Sequence, residues 1–497
     1  MRTIGYLAVV ALAASCGKSG SNDKPAPAPA TPGSAGRAEA AKPVATTTEV
    51  PVTSKSPDAI KAFTEGRDLT DGERGPEAVA LFKKAIELDP DFAQAHAYLG
   101  IVTQGPPGMA ELDKAKALAA KLPEAEQLVI EGAHASRRGD RAAMVAAYTK
   151  LAELAPGDWR VRVALGWDAI DTGDFAKAIP WFDKALAAKP TLAFAQDGLA
   201  YAHAGLHAWD AAIAAAKKQV ELLPKQPNPQ DTLGEILLMA GKYDEAEKAF
   251  QAALELEPKY NIAWQGVALA RAYRGDWKGA YEANDKQNAG TIDTYDSVGV
   301  IIDSAWLVYA ASELAPALAR LDVVDADAEA KQTPAYAFAA LARATLLQLE
   351  DKYADAAKWF ETGRQRGEAL PGSSKRLVAR DHAIGLLRNG ALSGKAAADA
   401  DKLLATLDQD AAADPLATSY AAWGHGLAAW AKTGAKDAVT ELAKCRPQLL
   451  ACRFDLATAQ RKAGDTAGAD ATEAQIRSSP QREASAVFYV TELAPKK

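Results

Sequence analysis

Three consecutive stretches decide the fold: Trp159–Leu192 (WRVRVALGWDAIDTGDFAKAIPWFDKALAAKPTL), Ala193–Gln226 (AFAQDGLAYAHAGLHAWDAAIAAAKKQVELLPKQ) and Pro227–Tyr260 (PNPQDTLGEILLMAGKYDEAEKAFQAALELEPKY). Laid under one another they share a single rhythm. Phe175, Trp209, Tyr243 and Trp277 stand 34 positions apart, and so do Pro156, Pro190, Pro224 and Pro258. Ala178, Ala212, Ala246 and Ala280 keep the same step, as do Leu165, Leu199, Leu233 and Val267. Phe182 and Phe250 share one further position. Self-similarity at a fixed period of about 20–50 residues is the signature of a repeat array.

Each unit reads as two helices. Thr172-Gly173-Asp174, Ala240-Gly241-Lys242 and Arg274-Gly275-Asp276 are the turns between them. The prolines stop the second helix, because proline has no N–H and clashes with the preceding turn. Gly166, Gly234 and Ala178 fall where the paired helices cross closely, and Phe182 and Phe250 fill the space between one hairpin and the next. A lone hairpin leaves an apolar face uncovered, so the array is stable only as an array. This pattern resembles the tetratricopeptide repeat family. The resemblance implies an all-α fold, an α-α superhelix of stacked hairpins.

The register extends unevenly. Upstream, Ala59–Phe92 fits through Gly66, Ala78, Phe82, Ala85 and Pro90, with Ser56-Pro57-Asp58 as its N-cap. Residues 93–124 are altered, with Gly105-Pro106-Pro107-Gly108 in place of an ordinary turn, and Ala125–Asp158 fits again. Gln287–Thr294 reads as a break. Beyond it one unit shows at Tyr336–Gly367, and helix pairs are expected at 375–407, 416–444 and 447–477 with Gly390, Gly434 and Gly464 in their turns. We therefore expect two sub-arrays, 58–288 and 289–497.

The N-terminus carries a separate signal. Arg2 precedes an apolar run, Ile4 to Ala14, too short to span a bilayer as a mature helix. Ala13-Ala14-Ser15 then leads into Cys16. The order resembles a bacterial lipoprotein signal, which implies removal of residues 1–15 and acylation of Cys16. Leu12 lies one position further from the cysteine than that pattern usually has it, and the other readings are an ordinary signal peptide cut near Ser15 and a chance apolar start. Gly17 after the cysteine implies, by the enteric sorting rule, an outer-membrane protein facing the periplasm. Residues 16–57 are rich in Pro, Ala, Ser and Thr and read as a disordered tether. Val, Ile and Thr are sparse outside 44–53.

Cys445 and Cys452 remain, as a C-x6-C pair around Arg446-Pro447, where one helix ends and Pro447 starts the next. In an oxidising compartment the pair favours a local disulfide; two buried free thiols are the alternative. The spacing is not that of a metal site.

Little else points to chemistry. His203 and His207 have an H-x3-H spacing, but the register sets them at a turn, without the glutamate of a zincin. His96, His134, His382 and His425 read as packing or surface residues. Nucleophile-elbow, Walker and dinucleotide fingerprints are missing from the sequence. The net charge of −7, with both signs interleaved, argues against a basic nucleic-acid-binding face. No enzyme activity, cofactor or metal is expected.

The resemblance implies a groove lined by first helices, at their second, fifth, ninth, twelfth and thirteenth positions. On this register these include Arg160, Val163, Trp167 and Asp171, then Phe194, Asp197 and Tyr201. They continue with Asp231, Glu235 and Met239, then Ile262, Gln265, Leu269 and Tyr273. Family members that clamp a peptide carboxylate carry Lys and Asn at the fifth and ninth positions. Here those positions hold Val163/Trp167, Asp197/Tyr201, Asp231/Glu235 and Gln265/Leu269, which departs from a clamp. The chosen site residues are Arg160, Trp167, Asp197, Tyr201, Asp231, Glu235 and Tyr273. Acids and aromatics suit a basic or amphipathic partner segment. The expected function is that of an envelope lipoprotein adaptor that binds partner proteins. The alternative is a sensor that takes a small molecule or cell-wall fragment near Trp167 and Tyr201.

Overall fold

A computed structural model describes residues 48–71, 74–103, 105–288, 304–310, 314–326, 331, 334–370, 372–413, 417–447 and 449–477. Residues 1–15, Cys16, most of the tether and the segment 289–303 lie outside them. Among the described residues the secondary structure is helical, without strands. By contacts the chain divides into two compact units, Met1–Gly198 and Leu199–Lys497. That division differs from the joint at 288/289 expected from the sequence.

The first unit contains α1 (Pro57–Asp71), α2 (Gly75–Leu88), α3 (Ala93–Val102), α4 (Gly105–Leu118), α5 (Glu124–Arg137), α6 (Arg141–Leu154), α7 (Trp159–Asp171) and α8 (Phe175–Ala188). A short 3-10 turn, Ala119–Lys121, follows α4, and α9 (Ala193–Gly205) begins in this unit. Helices pair as α1/α2, α3/α4, α5/α6 and α7/α8, and α2, α4 and α6 also pack on α3, α5 and α7 in turn. Phe175 opens α8 and Pro190 lies just past its end, as the spacing predicts.

Phe182, fully buried, explains why the hairpins stack so closely. A Cβ on Gly166 of its own hairpin would stand 2.7 Å from the ring, and one on Gly198 of the next first helix 2.2 Å. The same glycine–aromatic notch recurs at Gly66 with Phe82 and at Gly132 with Tyr148. At the altered unit Gly105 takes φ +68° and Pro106-Pro107-Gly108 form the first turn of α4. A Cβ on Gly108 would lie 2.0 Å from the Thr103 carbonyl oxygen, so the compressed hairpin requires glycine there. Ser56 caps α1, its Oγ accepting from the Ala59 N–H at 3.2 Å.

The second unit holds α10 (Trp209–Leu222), α11 (Pro227–Met239), α12 (Tyr243–Leu256), α13 (Ile262–Tyr273) and α14 (Trp277–Asn288). Helical residues 304–310 precede α15 (Leu314–Ala326), α16 (Ala335–Leu349), α17 (Tyr353–Gly367), α18 (Gly372–Ser393) and α19 (Ala400–Ala413). The last elements are α20 (Thr418–Thr433), α21 (Ala435–Leu442), α22 (Leu450–Lys462) and α23 (Thr466–Arg477). Phe250 sits between Gly234 and Gly266 as Phe182 does between its own pair.

Four details differ from the sequence reading. α14 runs through Gln287 to Asn288, so the helix outlasts the expected start of the break. Gly390 is inside α18 and not in a turn; the chain reverses at Gly394, where φ is +70°. The returning segment packs on Gly390, whose Cβ would lie 2.9 Å from the Lys395 carbonyl oxygen. α22 begins at Leu450 and not at Pro447, which puts Cys452 in its first turn; Cys445 and Cys452 are joined by a disulfide.

The fourth concerns the tether. Residues 48–56 are not part of a disordered linker; they lie as an extended strap against the first unit. Val50 is buried in the core with Ala97, Leu128 and Val161, and Val52 packs against Phe63, Phe92 and Leu99. Burial of these two β-branched side chains offsets the chain entropy that the rest of the tether's composition leaves unmatched.

Candidate groove and its polar contacts

In the first unit the strap runs past the N-terminal ends of successive first helices, and side chains bond its main chain. The Asp158 carboxylate, which caps α7 by accepting from the Arg160 N–H at 3.1 Å, also accepts from the Val50 N–H at 3.4 Å. Gln94 Nε2 donates to the Pro51 carbonyl at 2.6 Å and to Glu126 at 2.7 Å. Glu126 accepts the Thr53 N–H at 3.2 Å and also the Thr53 hydroxyl. Asp89 accepts the Lys55 N–H at 2.9 Å and the Ser54 hydroxyl at 2.6 Å. Burial alone would raise the Asp89 carboxyl, but the bonds from Ser54 and Lys55 hold it below its usual range. Gly157 meets the strap directly, since a Cβ there would lie 2.2 Å from the Thr48 carbonyl oxygen.

Beneath Val50 is a cavity of ≈ 50 Å³, lined in part by Tyr98, Tyr148, Asp158 and Arg160. Burial pushes the Tyr98 hydroxyl up to about 12, so it stays neutral. Arg160 is at this wall and pairs with Asp71, across 89 positions, at 3.0 Å from its Nε. Its guanidinium also lies 4.7 Å from the Trp159 ring centroid. Burial works against the Arg160 charge, and Asp71 outweighs this and lifts its pKa above the ordinary range. The pair joins the end of α1 to the start of α7.

The other sequence-chosen residues have mixed environments. Trp167 is half-buried, edge-on to Phe182 at 5.8 Å and tilted against Phe194 at 5.6 Å. Asp197 and Asp231 are fully buried, and Glu235 is 5% exposed, so these three acids do not present a charged surface to a partner. Tyr201 and Glu235 share one register position in consecutive first helices, and the Tyr201 hydroxyl donates to Glu235. Stacking thus uses side chains that the sequence reading assigned to a ligand. Tyr273 is half-buried and stacked on Tyr243, with centroids 5.4 Å apart.

Gln94, Glu126 and Asp89 were not among the sequence-chosen residues. Gln94 and Glu126 follow Ala93 and Ala125, the unit starts of the register, as Arg160 follows Trp159. Extending the groove positions upstream finds them. The strap also had a signal, the β-former cluster at 44–53.

Four of the six histidines each face one carboxylate. His96 meets Glu111 at 2.5 Å and His134 meets Asp113 at 2.8 Å. His425 lies 2.9 Å from Asp408. Burial holds the His382 pKa below its usual value, against the pull of Glu361 at 3.5 Å. Among the described residues no group of three His, Cys, Asp or Glu is placed to hold a metal ion.

Residues 131–193 and 228–260 match models described as "Tetratricopeptide repeat". These two segments read as tetratricopeptide repeats, and the fold is that of a helical-hairpin solenoid. A curated relative is the small glutamine-rich tetratricopeptide repeat-containing protein 2 of Mycosarcoma maydis, 30% identical over 110 residues. That match spans 22% of this chain and 31% of the relative's length. Similar solved structures include MamA (23% identity, TM-score 0.30, covering 34% of this chain and 91% of that one). PilW, a type IV pilus biogenesis factor, is 15% identical with a TM-score of 0.33, over 50% of this chain and 99% of its own. Yeast Tom70 is 15% identical with a TM-score of 0.44, over 85% and 90%.

Proposed function

We propose that this chain is a non-enzymatic scaffold that takes extended segments of partner proteins on the inner faces of its first helices. The observation that carries the reading is the strap: the first unit holds a peptide segment by side-chain bonds to main-chain N–H and C=O groups. The half-buried aromatics Trp167, Tyr201 and Tyr273 offer further faces for apolar or amphipathic partner residues. Because Asp197 and Asp231 are buried, we place more weight on main-chain recognition than on partner basicity.

We also propose that the scaffold is held to a bacterial envelope membrane by acylated Cys16, in the outer membrane and facing the periplasm. Two or three acyl chains would anchor it durably, where a single chain binds only reversibly.

Photo-crosslinking in cells, from a reactive residue in place of Trp167 or Tyr273, tests the scaffold. Specific protein adducts are expected at both positions, and their absence at both would sink the reading. For the anchor, Cys16→Ser should abolish acyl labelling and move the protein from the membrane to the soluble fraction. An unchanged distribution refutes it.

A further inference from the structure

We infer that residues 48–56 are an internal ligand of the first unit's groove, and that the same groove takes a partner peptide of the same chemistry in trans. That chemistry is an extended segment with a branched apolar residue, then proline, then a hydroxyl side chain two positions further on. This rests on the scaffold reading above and needs neither the lipid anchor nor a known partner.

The recognition pattern is that of a receptor reading a peptide. Asp158, Glu126 and Asp89 accept the N–H groups of Val50, Thr53 and Lys55, while Gln94 donates to the Pro51 carbonyl. At Pro51 the groove donates to the carbonyl, and proline has no N–H that would need an acceptor. Glu126 takes both the N–H and the hydroxyl of Thr53, which selects a hydroxyl side chain there. Val50 fills the apolar seat at 8% exposure, whereas the other strap side chains are half-buried or exposed.

The strap is also built to leave. It is a single extended segment outside any helix, and its seat is formed by α3, α5 and α7, which pack on their own hairpin partners. Departure of the strap removes no helix–helix contact. A bound partner segment and the docked strap exclude one another, so the strap sets the concentration a partner must reach.

The test uses the full chain and a fluorescein-labelled peptide of residues 48–57, TEVPVTSKSP. The variant Val50→Asp with Thr53→Pro removes the apolar seat-filler and one N–H, and should free the groove. We expect it to bind the peptide at least about 10-fold more tightly than the wild type does. Adding Gln94→Ala with Glu126→Gln should remove that gain. Equal binding by wild type and strap variant overturns the proposal, and so does no binding by a strap variant of unchanged helicity.

If the strap variant does not fold, hydrogen exchange on the wild type decides. The amides of Val50, Thr53 and Lys55 should exchange at least about 100-fold faster than those of α5 and α7, through opening of the strap alone. Exchange at the rate of those helices means that the strap leaves only on unfolding, and overturns the proposal. Failure of either arm would leave adducts from Trp167 and Tyr273 in place, which separates this claim from the scaffold reading.

Discussion

His207 holds a position that glycine holds elsewhere in the array. Gly139, Gly173, Gly241 and Gly275 have φ between 74° and 81°, each 34 residues or a multiple from the others, and His207 in the same series has φ 58°. A side chain in the left-handed region is strained, and the Trp209 ring at 5.3 Å is a weak compensation. His207→Gly should therefore raise stability by about 1 kcal/mol, read as a higher midpoint in urea unfolding. At this scale the sequence was informative wherever a residue serves the repeat. The spacing of Gly166 and Gly234 and of Phe182 and Phe250 could be read without coordinates, because close helix crossing demands a small residue at each repeat. For Asp231 and Glu235, both buried, register gives only a residue's position along a helix. It does not say whether a neighbouring side chain, such as Tyr201, already occupies the space.

Between elements, the second unit contains a polar junction that no register predicts. Arg388 of α18 bonds Asp455 of α22 through Nε and Nη2 at 2.9–3.0 Å, across 67 positions. Trp423 Nε1 of α20 donates to the same carboxylate at 2.9 Å, and Arg388 Nη1 reaches Gln348 of α16 at 3.1 Å. Both charges are buried, at 4% and 1% exposure. Removing one partner strands the other charge, so Asp455→Ala should cost about 3–5 kcal/mol in urea unfolding. Arg388→Met combined with Asp455→Leu should recover a large part of that loss. An additive double variant would show that the charges do not act as a pair. Such junctions stay hidden in sequence because each partner, taken alone, looks like an ordinary surface residue on an amphipathic helix. The strap was hidden for a different reason. Most of its bonds run from its main-chain groups to side chains of the first unit, and such recognition marks side-chain choice only at the two valines, the proline and the hydroxyls of Thr53 and Ser54.

For the molecule as a whole, the main helix packing among the described residues is between helices adjacent or next-but-one in sequence, so stability is largely a sum of neighbour terms. Denaturation should accordingly depart from a single two-state transition. Phe182→Ala should move one phase and Asp455→Ala another, as followed by hydrogen exchange of each unit; a common shift of one sharp transition would contradict this. The fold class was legible because its period repeats many times, whereas the contacts that close the first unit occur once each. The Val50–Asp158 bond spans 108 positions and the Arg160–Asp71 bond 89. Synthesis proceeds from the N-terminus, so the strap emerges first and its docking site is assembled last. Neighbouring hairpins form by short-range collapse, whereas the strap must wait for the seventh helix, a loop closure of high contact order. Until then Val50 and Val52 are exposed apolar residues in an otherwise polar segment. The docked strap is therefore a record of order in time: its amides become protected only in molecules whose first unit has been completed.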